Sequence, residues 1–464
     1  MPLTAHLSDA LAAIVGADAL RVEPADCWPY GYDNSRRQSL PAAVVFVTDG
    51  AQVQAVVALA HQHGVPVTAR GLGTGTTGAT VPERTGIVIA FERMHRILRI
   101  DPANRLAVVE PGVVNDHLQR ALAEHGFFWP PDPTSAAVCT IGGNLAYNSA
   151  GPRAVKYGTP RENTLGLAAV TGTGQLIRTG VLTTKGVVGY DLTRLIIGSE
   201  GTLALITEAT LKLTPVAEAK QTLRATYRDI HAAADAVAAI MAQPITPCAL
   251  EFMDAAAITM VREFSDLGVS AETGALLMIE VDGPAECVSS IADAVAAAAR
   301  NPGLLELSVA REREQIAALW RTRKALSPAL RHVAPKKINE DVVVPVSRIA
   351  AFIDGLERLG REHRIRIVNF GHAGNGNIHV NLLVDPDDAD EMTRAARCLE
   401  GVFDLVIALG GTLSGEHGVG LEKRDFVARE IDPPALALMR AIKAQFDPNG
   451  ILNPGKGLPL PEPD

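Results

Sequence analysis

Two glycine-rich stretches constrain this chain more than any other feature of its sequence. Residues 371–381 read GHAGNGNIHVN, and residues 410–420 read GGTLSGEHGVG. The apolar run at 365–370 predicts a strand that enters the first stretch, and the run at 378–384 predicts a strand that leaves it. A tight turn between two strands favours glycine, which adopts positive φ and lets other groups approach the backbone closely. The sequence therefore predicts a strand pair joined by a glycine-rich turn.

The two stretches also carry metal-ligand chemistry, with the candidates His372, His379, Glu416 and His417. Imidazole and carboxylate are the ligands that a borderline divalent metal prefers, and three protein ligands leave an open position, as in catalytic zinc sites. The remaining histidine can then serve as a base, although the spacing does not decide which of the four groups is the base. His379 and Asn381 are two residues apart on a predicted strand and so share a face. The sequence predicts a catalytic metal site.

Length, charge and cysteine content exclude several classes of protein. A chain of 464 residues is too long for one core, so two or three domains are expected. A net charge of −9 argues against nucleic-acid binding. No apolar run is long enough to cross a bilayer, and the N-terminus lacks the pattern of a signal peptide. Five scattered cysteines predict reduced thiols and a cytoplasmic setting, with neither a disulfide framework nor an iron–sulfur cluster.

An α/β pattern begins near Pro41. A strand is predicted at 43–47, a helix at 51–63 and a second strand at 65–70, which runs into the glycine-rich stretch 71–78. A strand followed by glycines and hydroxyls can present a row of backbone N–H groups to a phosphate. The spacing matches neither the Gly-x-Gly-x-x-Gly of a dinucleotide-binding helix nor a P-loop.

Three further segments rich in glycine and proline are predicted to be irregular loops. They are residues 127–133, 140–144 and 148–151. Long irregular loops within one domain are usually functional. Three of them in one domain predict a large, extended ligand.

Several ordered motifs together carry a resemblance to a known family. They lie at residues 70–75, 131–133, 141–144, 148–151 and 198–203. The first half of the chain resembles the FAD domain of the vanillyl-alcohol oxidase/p-cresol methylhydroxylase superfamily, and the second half resembles its FAD-linked oxidase C-terminal domain. Within that superfamily the chain is similar to the D-2-hydroxyacid dehydrogenases, namely D-lactate dehydrogenase, D-2-hydroxyglutarate dehydrogenase and the glycolate oxidase D subunit.

The resemblance implies an α+β fold. It combines a two-subdomain FAD-binding domain of the p-cresol methylhydroxylase type with an α+β substrate domain, or cap, that has an antiparallel sheet and flanking helices. The sequence pattern changes after Pro215 to alternating predicted strands and helices, and this change gives the domain boundary. The expected organisation is an N-terminal segment (1–37), an FAD-binding domain (38–215), a substrate and metal domain (216–440) and a C-terminal segment that returns to the FAD domain (441–464).

The resemblance also implies the residues that bind FAD. Residues 71–76 would hold the pyrophosphate through backbone N–H groups, and the loops from 131 to 151 would line the cofactor. The chain has no histidine between Arg70 and Arg93, so the FAD is expected to be non-covalent. The implied FAD-binding residues are Arg70, Gly71, Leu72, Gly73, Thr74, Gly75, Thr76, Pro131, Asp132, Ser135, Gly142, Gly143, Asn144, Asn148, Gly151, Gly201, Ile206 and Asn453.

The remaining site residues are implied in the same way. Arg323 would bind the substrate carboxylate, a task that suits the forked guanidinium. Ser327 lies four residues later, on the same face of the predicted helix at 319–327. The other implied roles are a substrate contact at Asn381, metal ligands at His372, His379 and Glu416, and the catalytic base at His417. Zinc is the expected metal, with manganese or iron as alternatives.

The substrate class depends on one departure from the family pattern. In the D-2-hydroxyglutarate enzymes a lysine shortly before a strand ending in proline holds the distal carboxylate, but here Asn339 takes that place. The departure favours D-lactate or a similar small acid. D-2-Hydroxyglutarate dehydrogenase stays an alternative if Lys336 or Lys337 supplies the second cation, and a glycolate oxidase FAD subunit is another. The His/Glu cluster taken alone would also suit a metal-dependent hydrolase.

The expected reaction oxidises the hydroxy acid to a 2-oxo acid, with hydride transfer to flavin N5. The sequence has neither a haem motif nor iron–sulfur ligands, so electrons are expected to leave to an external acceptor. The resemblance allows a quinone, a cytochrome or an electron-transfer flavoprotein. It further suggests a homodimer, located in the cytoplasm or peripherally at the inner membrane.

Overall fold

The computed structural model describes residues 3–262, 268–310 and 313–460, without the side chains of residues 313, 318, 322, 324, 325, 327, 328, 331 and 332. The described chain divides into two units. The first lies within Met1–Ala150, Gly158–Val216 and Glu416–Asp464, and the second within Gly151–Tyr157 and Ala217–Gly415.

Strands and helices are numbered in chain order. The strands of the first unit are β1 (Leu20–Arg21), β2 (Ala43–Phe46), β3 (Val67–Arg70), β4 (Ile87–Ala90), β5 (Ile97–Asp101), β6 (Leu106–Val109), β7 (Phe127–Phe128), β8 (Thr164–Thr171), β9 (Leu176–Gly180), β10 (Ala204–Lys212) and β11 (Thr214–Pro215). Those of the second unit are β12 (Ala219–Tyr227), β13 (Ala249–Asp254), β14 (Ala275–Gly283), β15 (Leu304–Ala310), β16 (Lys336–Val343), β17 (Arg366–His372) and β18 (Asn377–Val384).

The α-helices are α1 (Ala5–Val15), α2 (Pro24–Cys27), α3 (Gly50–His63), α4 (Asn115–Ala123), α5 (Ile141–Tyr147), α6 (Ala154–Tyr157), α7 (Leu192–Ile196), α8 (Ile230–Ala242), α9 (Ala255–Arg262), α10 (Val288–Ala298), α11 (Arg313–Val333), α12 (Ile349–His363), α13 (Ala389–Ala408), α14 (Val427–Glu430) and α15 (Pro433–Phe446). Short 3₁₀ segments occur at Ala17–Ala19, Trp28–Tyr30, Val346–Arg348, Ala373–Asn375 and Arg424–Phe426. None of the described helices has both the length and the apolar character that a membrane crossing requires.

One sheet of the first unit has the strand order β1-β2-β4-β3, with β2, β4 and β3 parallel. Strands β2 and β4 are buried at every position, which explains their continuous apolar sequences. Helix α3 connects β2 to β3. Its first turn is capped by Asp49, whose side chain accepts the N–H of Gln52, and it ends at Gly64 in the left-handed conformation.

The other large sheet of the first unit is antiparallel, with the order β5-β6-β10-β8-β9. Its apolar side chains form a core with residues of α4 and α5, and Trp129 is fully buried in that core. The indole N–H of Trp129 donates to the carbonyl oxygen of Asn163 at 2.9 Å, so the buried polar atom is satisfied. Together the two sheets account for the two subdomains expected of an FAD-binding domain.

The segment predicted as an irregular loop at 140–144 is instead the start of helix α5. Thr140 caps this helix by accepting the N–H of Gly143, and Asn148 closes it in the left-handed conformation. Ile141 and Leu145 bury their side chains beneath it. The prediction was wrong because two caps and an apolar face outweigh the low helix propensity of the paired glycines.

The second unit is built on an antiparallel sheet with the order β15-β12-β14-β13-β17-β18-β16. Helices α9 and α11 cover one face, where Met253, Met278, Leu326 and Phe370 belong to one apolar cluster. Helices α8, α10, α12 and α13 also contact the sheet. The antiparallel sheet with flanking helices confirms the predicted architecture of the second domain.

The chain returns to the first unit at Glu416, whereas the sequence predicted a return at residue 441. Backbone hydrogen bonds explain the earlier return. The N–H of Leu421 donates to the carbonyl oxygen of Thr77 at 2.7 Å, and the hydroxyl of Thr77 donates to the carbonyl oxygen of His417 at 3.2 Å.

Candidate active site

Strands β17 and β18 form the predicted pair, and their register places two histidines on one face of the sheet. His379 pairs with Phe370, and His372 pairs with Asn377. Paired residues of neighbouring strands share a face, so His379 lies on the face of Phe370. His372 is two residues after Phe370 on β17 and lies on the same face. Both imidazoles therefore project from the side that α11 covers, where Phe370 packs. Both are buried, and their ring centroids lie 5.1 Å apart with the planes nearly perpendicular.

Glu251 on β13 connects one of these histidines to the predicted substrate arginine. Its Oε1 lies 2.5 Å from His372 Nδ1, and its Oε2 lies 2.7 Å from both Nε and Nη2 of Arg323. Burial alone would raise the pKa of Glu251, but His372 and Arg323 outweigh burial and hold that pKa below its usual range. Glu251 is therefore an anionic bridge between the two groups. Sequence analysis missed it, although a glutamate within the buried strand β13 was a signal.

Arg323 is only 8% exposed, although a run of cations on a helix usually forms a solvated face. Its guanidinium carbon lies 4.9 Å from the ring centroid of Phe370. Glu251 and Phe370 thus contact one edge and one face of the guanidinium. A guanidinium has a second edge, which carries Nη1 and has the geometry to bind a carboxylate. Ser327 lies in the same helix, α11, but its side chain is outside the described residues.

Asp341 is a second carboxylate that sequence analysis missed. It lies opposite His379 in the register of β16 and β18, and its Oδ1 is 3.6 Å from His379 Nδ1. Its two oxygens accept the amide of Asn377 at 2.6 Å and the N–H of Gly415 at 3.0 Å. These bonds satisfy a fully buried charge and fix its position beside the histidine.

Asn381 shares the face of His379, as its spacing predicts, and is fully buried. Its Oδ1 accepts the amide of Asn339 at 2.8 Å, and its Nδ2 donates to the carbonyl oxygen of Val368 at 3.0 Å. These are contacts within the protein, and its substrate role stays a prediction. By the alternation along β16, Lys337 is on the face of Asn339 and Asp341, whereas Lys336 is on the opposite face.

The donor set of the second unit fits a divalent metal. A carboxylate that holds Nδ1 of a histidine fixes the ring and leaves Nε2 as the ligand atom, the arrangement common to metal-binding histidines. Glu251 does this for His372. The other two predicted residues, Glu416 and His417, belong to the first unit, so the full ligand set stays a prediction.

The first unit contains a cavity lined by many of the residues implied to bind FAD. Those at its wall are Arg70, Gly71, Gly142, Gly143, Gly201 and Ile206. Glycine is required where Gly142 meets Pro111, because an added Cβ would lie 2.6 Å from the Cβ of that proline. Helix α5 can therefore approach the turn after β6 only because residue 142 has no side chain.

The loop after β3 provides the anion-binding groups that FAD requires. Among the described residues, the backbone N–H groups of residues 71–76 have no protein acceptor. Successive free N–H groups form a cradle for a phosphate. The loop and the glycine-lined cavity together fit the FAD cofactor.

Several of the other implied cofactor residues make contacts within the protein. The guanidinium of Arg70 donates to the carbonyl oxygens of Tyr32 and Pro29. The carbonyl oxygen of Pro131 and the side-chain Oδ1 of Asn144 both accept hydrogen bonds from the side-chain Nδ2 of Asn115. The N–H of Asp132 donates to Ala150, and the carbonyl oxygen of Ser135 accepts from Cys139. The side chain of Asn148 accepts from Thr159 and Arg161, and that of Asn453 donates to Ala79 and Glu200. The carbonyl oxygens of residues 74 and 75 accept from Asn34. Leu72 is partly exposed, and Gly151 belongs to the second unit.

The segment with Glu416 and His417 is held by the first unit. The Oε2 of Glu416 accepts the N–H of Ala150 at 3.2 Å. Beyond His417, the carboxylate of Glu200 accepts the N–H groups of Val419 and Gly420. Burial raises the pKa of Glu200 to about 7 against the lowering effect of these donors.

The substitution Gly142→Ala tests the cavity wall. Because the added methyl overlaps a rigid proline ring, we expect a loss of about 1–3 kcal/mol in the stability of the first unit. We also expect a smaller fraction of the purified protein to carry FAD. Flavin absorbance relative to protein absorbance, and thermal unfolding, measure the two effects.

Gly50→Ala is the matched control, since an added Cβ there lies no closer than 3.6 Å to its nearest neighbour, Thr207. It should retain the flavin content and unfolding temperature of the unmodified protein. Equal flavin content and stability in both variants would contradict the proposed tight wall at Gly142.

Two family models match the chain. The FAD binding domain matches residues 41–180, and the C-terminal domain of the FAD linked oxidases matches residues 216–457. These matches agree with the FAD cavity of the first unit.

Curated relatives match nearly the whole chain. Glycolate oxidase subunit GlcD of Bacillus subtilis is 38% identical over 98% of this chain and 97% of its own. D-2-Hydroxyglutarate dehydrogenase of Stutzerimonas stutzeri is 32% identical over 97% and 98%, respectively. D-Lactate dehydrogenase of Archaeoglobus fulgidus is 36% identical over 89% and 90%.

The fold also matches solved structures. The structure of p-cresol methylhydroxylase with bound substrate superposes with a TM-score of 0.80 at 19% identity, covering 98% of this chain and 96% of that one. This match confirms the predicted fold class. The chain therefore shares the fold of p-cresol methylhydroxylase and belongs to the FAD-linked oxidoreductases of the glycolate oxidase, D-lactate dehydrogenase and D-2-hydroxyglutarate dehydrogenase group.

Proposed function

We propose that this protein oxidises D-lactate or a similar small 2-hydroxy acid, such as glycolate, to the 2-oxo acid with FAD and a divalent metal. The supporting observation is the bridge at Glu251, which holds a candidate metal ligand, His372, and a candidate carboxylate-binding group, Arg323, side by side. A 2-hydroxy acid presents a carboxylate next to a hydroxyl, so its recognition needs a cation beside a group that activates oxygen. The relatives named as glycolate oxidase subunit and D-lactate dehydrogenase support the same substrate class.

Arg323 has the role of binding the substrate carboxylate. Its guanidinium is already held by Glu251 and stacked on Phe370, so little conformational freedom is lost when an acid binds. A fixed carboxylate also restricts which substituent of Cα faces the cofactor. Arg323 thereby contributes to the choice between D and L acids.

His417 has the role of taking the hydroxyl proton as the general base. His372 and His379, with Glu416, would hold the metal, and zinc is the first candidate. The bound FAD would accept hydride, and the metal would lower the pKa of the substrate hydroxyl. The FAD is non-covalent in this proposal, because residues 71–76 include no histidine. The electrons would then pass to an external acceptor such as a quinone, a cytochrome or an electron-transfer flavoprotein.

Anaerobic visible spectra of the purified protein test this proposal. We expect a flavin spectrum that D-lactate or glycolate bleaches, while L-lactate at the same concentration leaves the flavin oxidised. Treatment with a chelator should abolish the bleaching, and added Zn²⁺ or Mn²⁺ should restore it. Metal analysis before and after chelation shows whether an ion was removed.

Each of the other results contradicts a different part of the proposal. A flavin that none of these acids bleaches would contradict the substrate assignment. Bleaching that persists after complete removal of metal would contradict the metal role. Bleaching by D-2-hydroxyglutarate alone would favour the second candidate, for which Lys337 is the candidate cation because it shares a face of β16 with Asn339 and Asp341.

A further inference from the structure

Glu200 is a buried carboxylate to which the proposed reaction gives no role. It lies between α7 and β10, is 6% exposed and lines the cavity of the first unit. Its Oε1 accepts the N–H of Val419 at 2.5 Å and that of Gly420 at 3.1 Å, and its Oε2 accepts the N–H of Gly420 at 2.8 Å. One side chain thus satisfies two backbone donors of a segment more than two hundred residues later.

The contacted residues follow His417 directly in the chain. The hydroxyl of Thr77 donates to the carbonyl oxygen of His417, and the N–H of Leu421 donates to the carbonyl oxygen of Thr77. Gly418, between His417 and the residues bonded to Glu200, has a φ of +82°, and a Cβ there would lie 2.6 Å from the ring of Tyr147. The backbone from 417 to 421 therefore has its conformation set by Thr77 on one side and Glu200 on the other.

The backbone of Glu200 is fixed by a hydrogen bond from a second buried residue, Asn453. Its carbonyl oxygen accepts the amide of Asn453 at 2.7 Å, and Asn453 Oδ1 accepts the ammonium of Lys456 at 3.1 Å. Both Asn453 and Lys456 are buried. A buried charge is costly unless hydrogen bonds and opposite charges compensate it. A buried glutamate with both carboxyl oxygens on the backbone of one segment has the properties of a positioning group.

We propose that Glu200 is a positioning residue that fixes the segment 417–421 and thereby places His417 for proton transfer. This inference rests on the proposed role of His417 as the base. The carboxyl oxygens of Glu200 accept backbone N–H groups of the segment that follows His417, so loss of this side chain should affect the rate of the chemical step more than the binding of substrate. Displacement of a catalytic group by about 1 Å can lower the rate by about 10²-fold.

The variants Glu200→Ala and Glu200→Gln test the proposal, with Glu110→Ala as the matched control. We expect Glu200→Ala to lower kcat by about 10²-fold with little change in KM and with FAD still bound. Glu200→Gln should restore most of the activity, because its single oxygen can accept both N–H groups, as Oε1 already does. Glu110 is also a buried glutamate of the first unit that accepts a backbone N–H. Its donor is Arg96, at 2.8 Å, and not a residue of the segment 417–421. The loss of Glu110 should therefore leave kcat unchanged.

Hydrogen–deuterium exchange provides a readout that does not depend on activity. We expect faster exchange of the amides of residues 417–421 in Glu200→Ala and normal exchange there in Glu110→Ala. If no 2-hydroxy acid reduces the wild-type flavin, the proposed function fails, while the exchange experiment still tests whether Glu200 holds the segment.

Three results would overturn the inference: unchanged exchange at 417–421, a wild-type kcat in Glu200→Ala, or a loss of kcat in Glu200→Gln as large as in Glu200→Ala. If Glu200→Ala does not fold, Glu200→Asp replaces it, because the shorter side chain cannot reach both N–H groups. A wild-type kcat in that folded variant would equally overturn the role of Glu200.

Discussion

Replacement of His417 with alanine should lower the rate of flavin reduction by about 10²–10⁴-fold, the usual contribution of a general base. The bound FAD should remain, because these contacts to the segment use its backbone. Thr77 contacts the carbonyl oxygen of His417, and Glu200 contacts the N–H groups of Val419 and Gly420. Removal of the imidazole leaves these bonds in place. Stopped-flow measurement of flavin reduction under anaerobic conditions gives the rate of the step directly.

The control for this variant is His125→Ala, which removes an exposed histidine of the same unit. It should reduce the flavin at the wild-type rate. A His417→Ala protein that keeps its FAD and reduces it at the wild-type rate would show that another group is the base. Loss of FAD from His417→Ala would show that the histidine supports the cofactor instead.

Replacement of Glu251 with glutamine should have two large effects. The affinity for metal should fall by about 10–100-fold, since the orientation of His372 depends on the carboxylate behind it. The free energy of unfolding of the second unit should fall by about 3–5 kcal/mol, because the buried guanidinium of Arg323 loses its counter-charge. Competition with a chromophoric zinc chelator measures the affinity, and chemical denaturation measures the stability.

Glu306→Gln is the control for the second variant. Glu306 forms an ion pair with Arg224 at 3.1 Å in the same sheet, but about half of its side chain is exposed. An exposed pair contributes at most about 1 kcal/mol, so this variant should keep both its stability and its affinity for metal. If Glu251→Gln behaved like Glu306→Gln, the bridge between His372 and Arg323 would contribute neither to the affinity for metal nor to the stability of the second unit.

The parts of the site that sequence analysis predicted are those encoded locally. The strand pair around residues 371–376 could be predicted because apolar runs flank a glycine-rich turn, and a two-residue spacing placed His379 and Asn381 on one face. The cofactor loop could be predicted because glycines and hydroxyls follow directly after a strand. In each case the residues that carry the sequence pattern and the residues that form the predicted structure lie within about ten positions of each other.

The parts that were missed depend on pairing across the chain. Arg323 is buried because Glu251, 72 positions earlier, lies on a strand beneath it. Glu200 acquires its partners 219 positions later. Helix α5 was missed for a different reason, because its caps and buried face decide a segment whose glycines alone favour a loop.

The discontinuity of the first unit has a consequence for how the protein is made. Its parallel sheet is completed near Val67, whose N–H donates to the carbonyl oxygen of Ile451 and whose carbonyl oxygen accepts the N–H of Asn453. The adjacent hydrogen bond between Thr68 and Asn453 spans 385 positions. At roughly 5–20 residues per second, a ribosome takes about 20–80 s to synthesise that span. During translation, the nascent edge strand therefore remains without its last partner until the second unit and residues 451–453 have been synthesised.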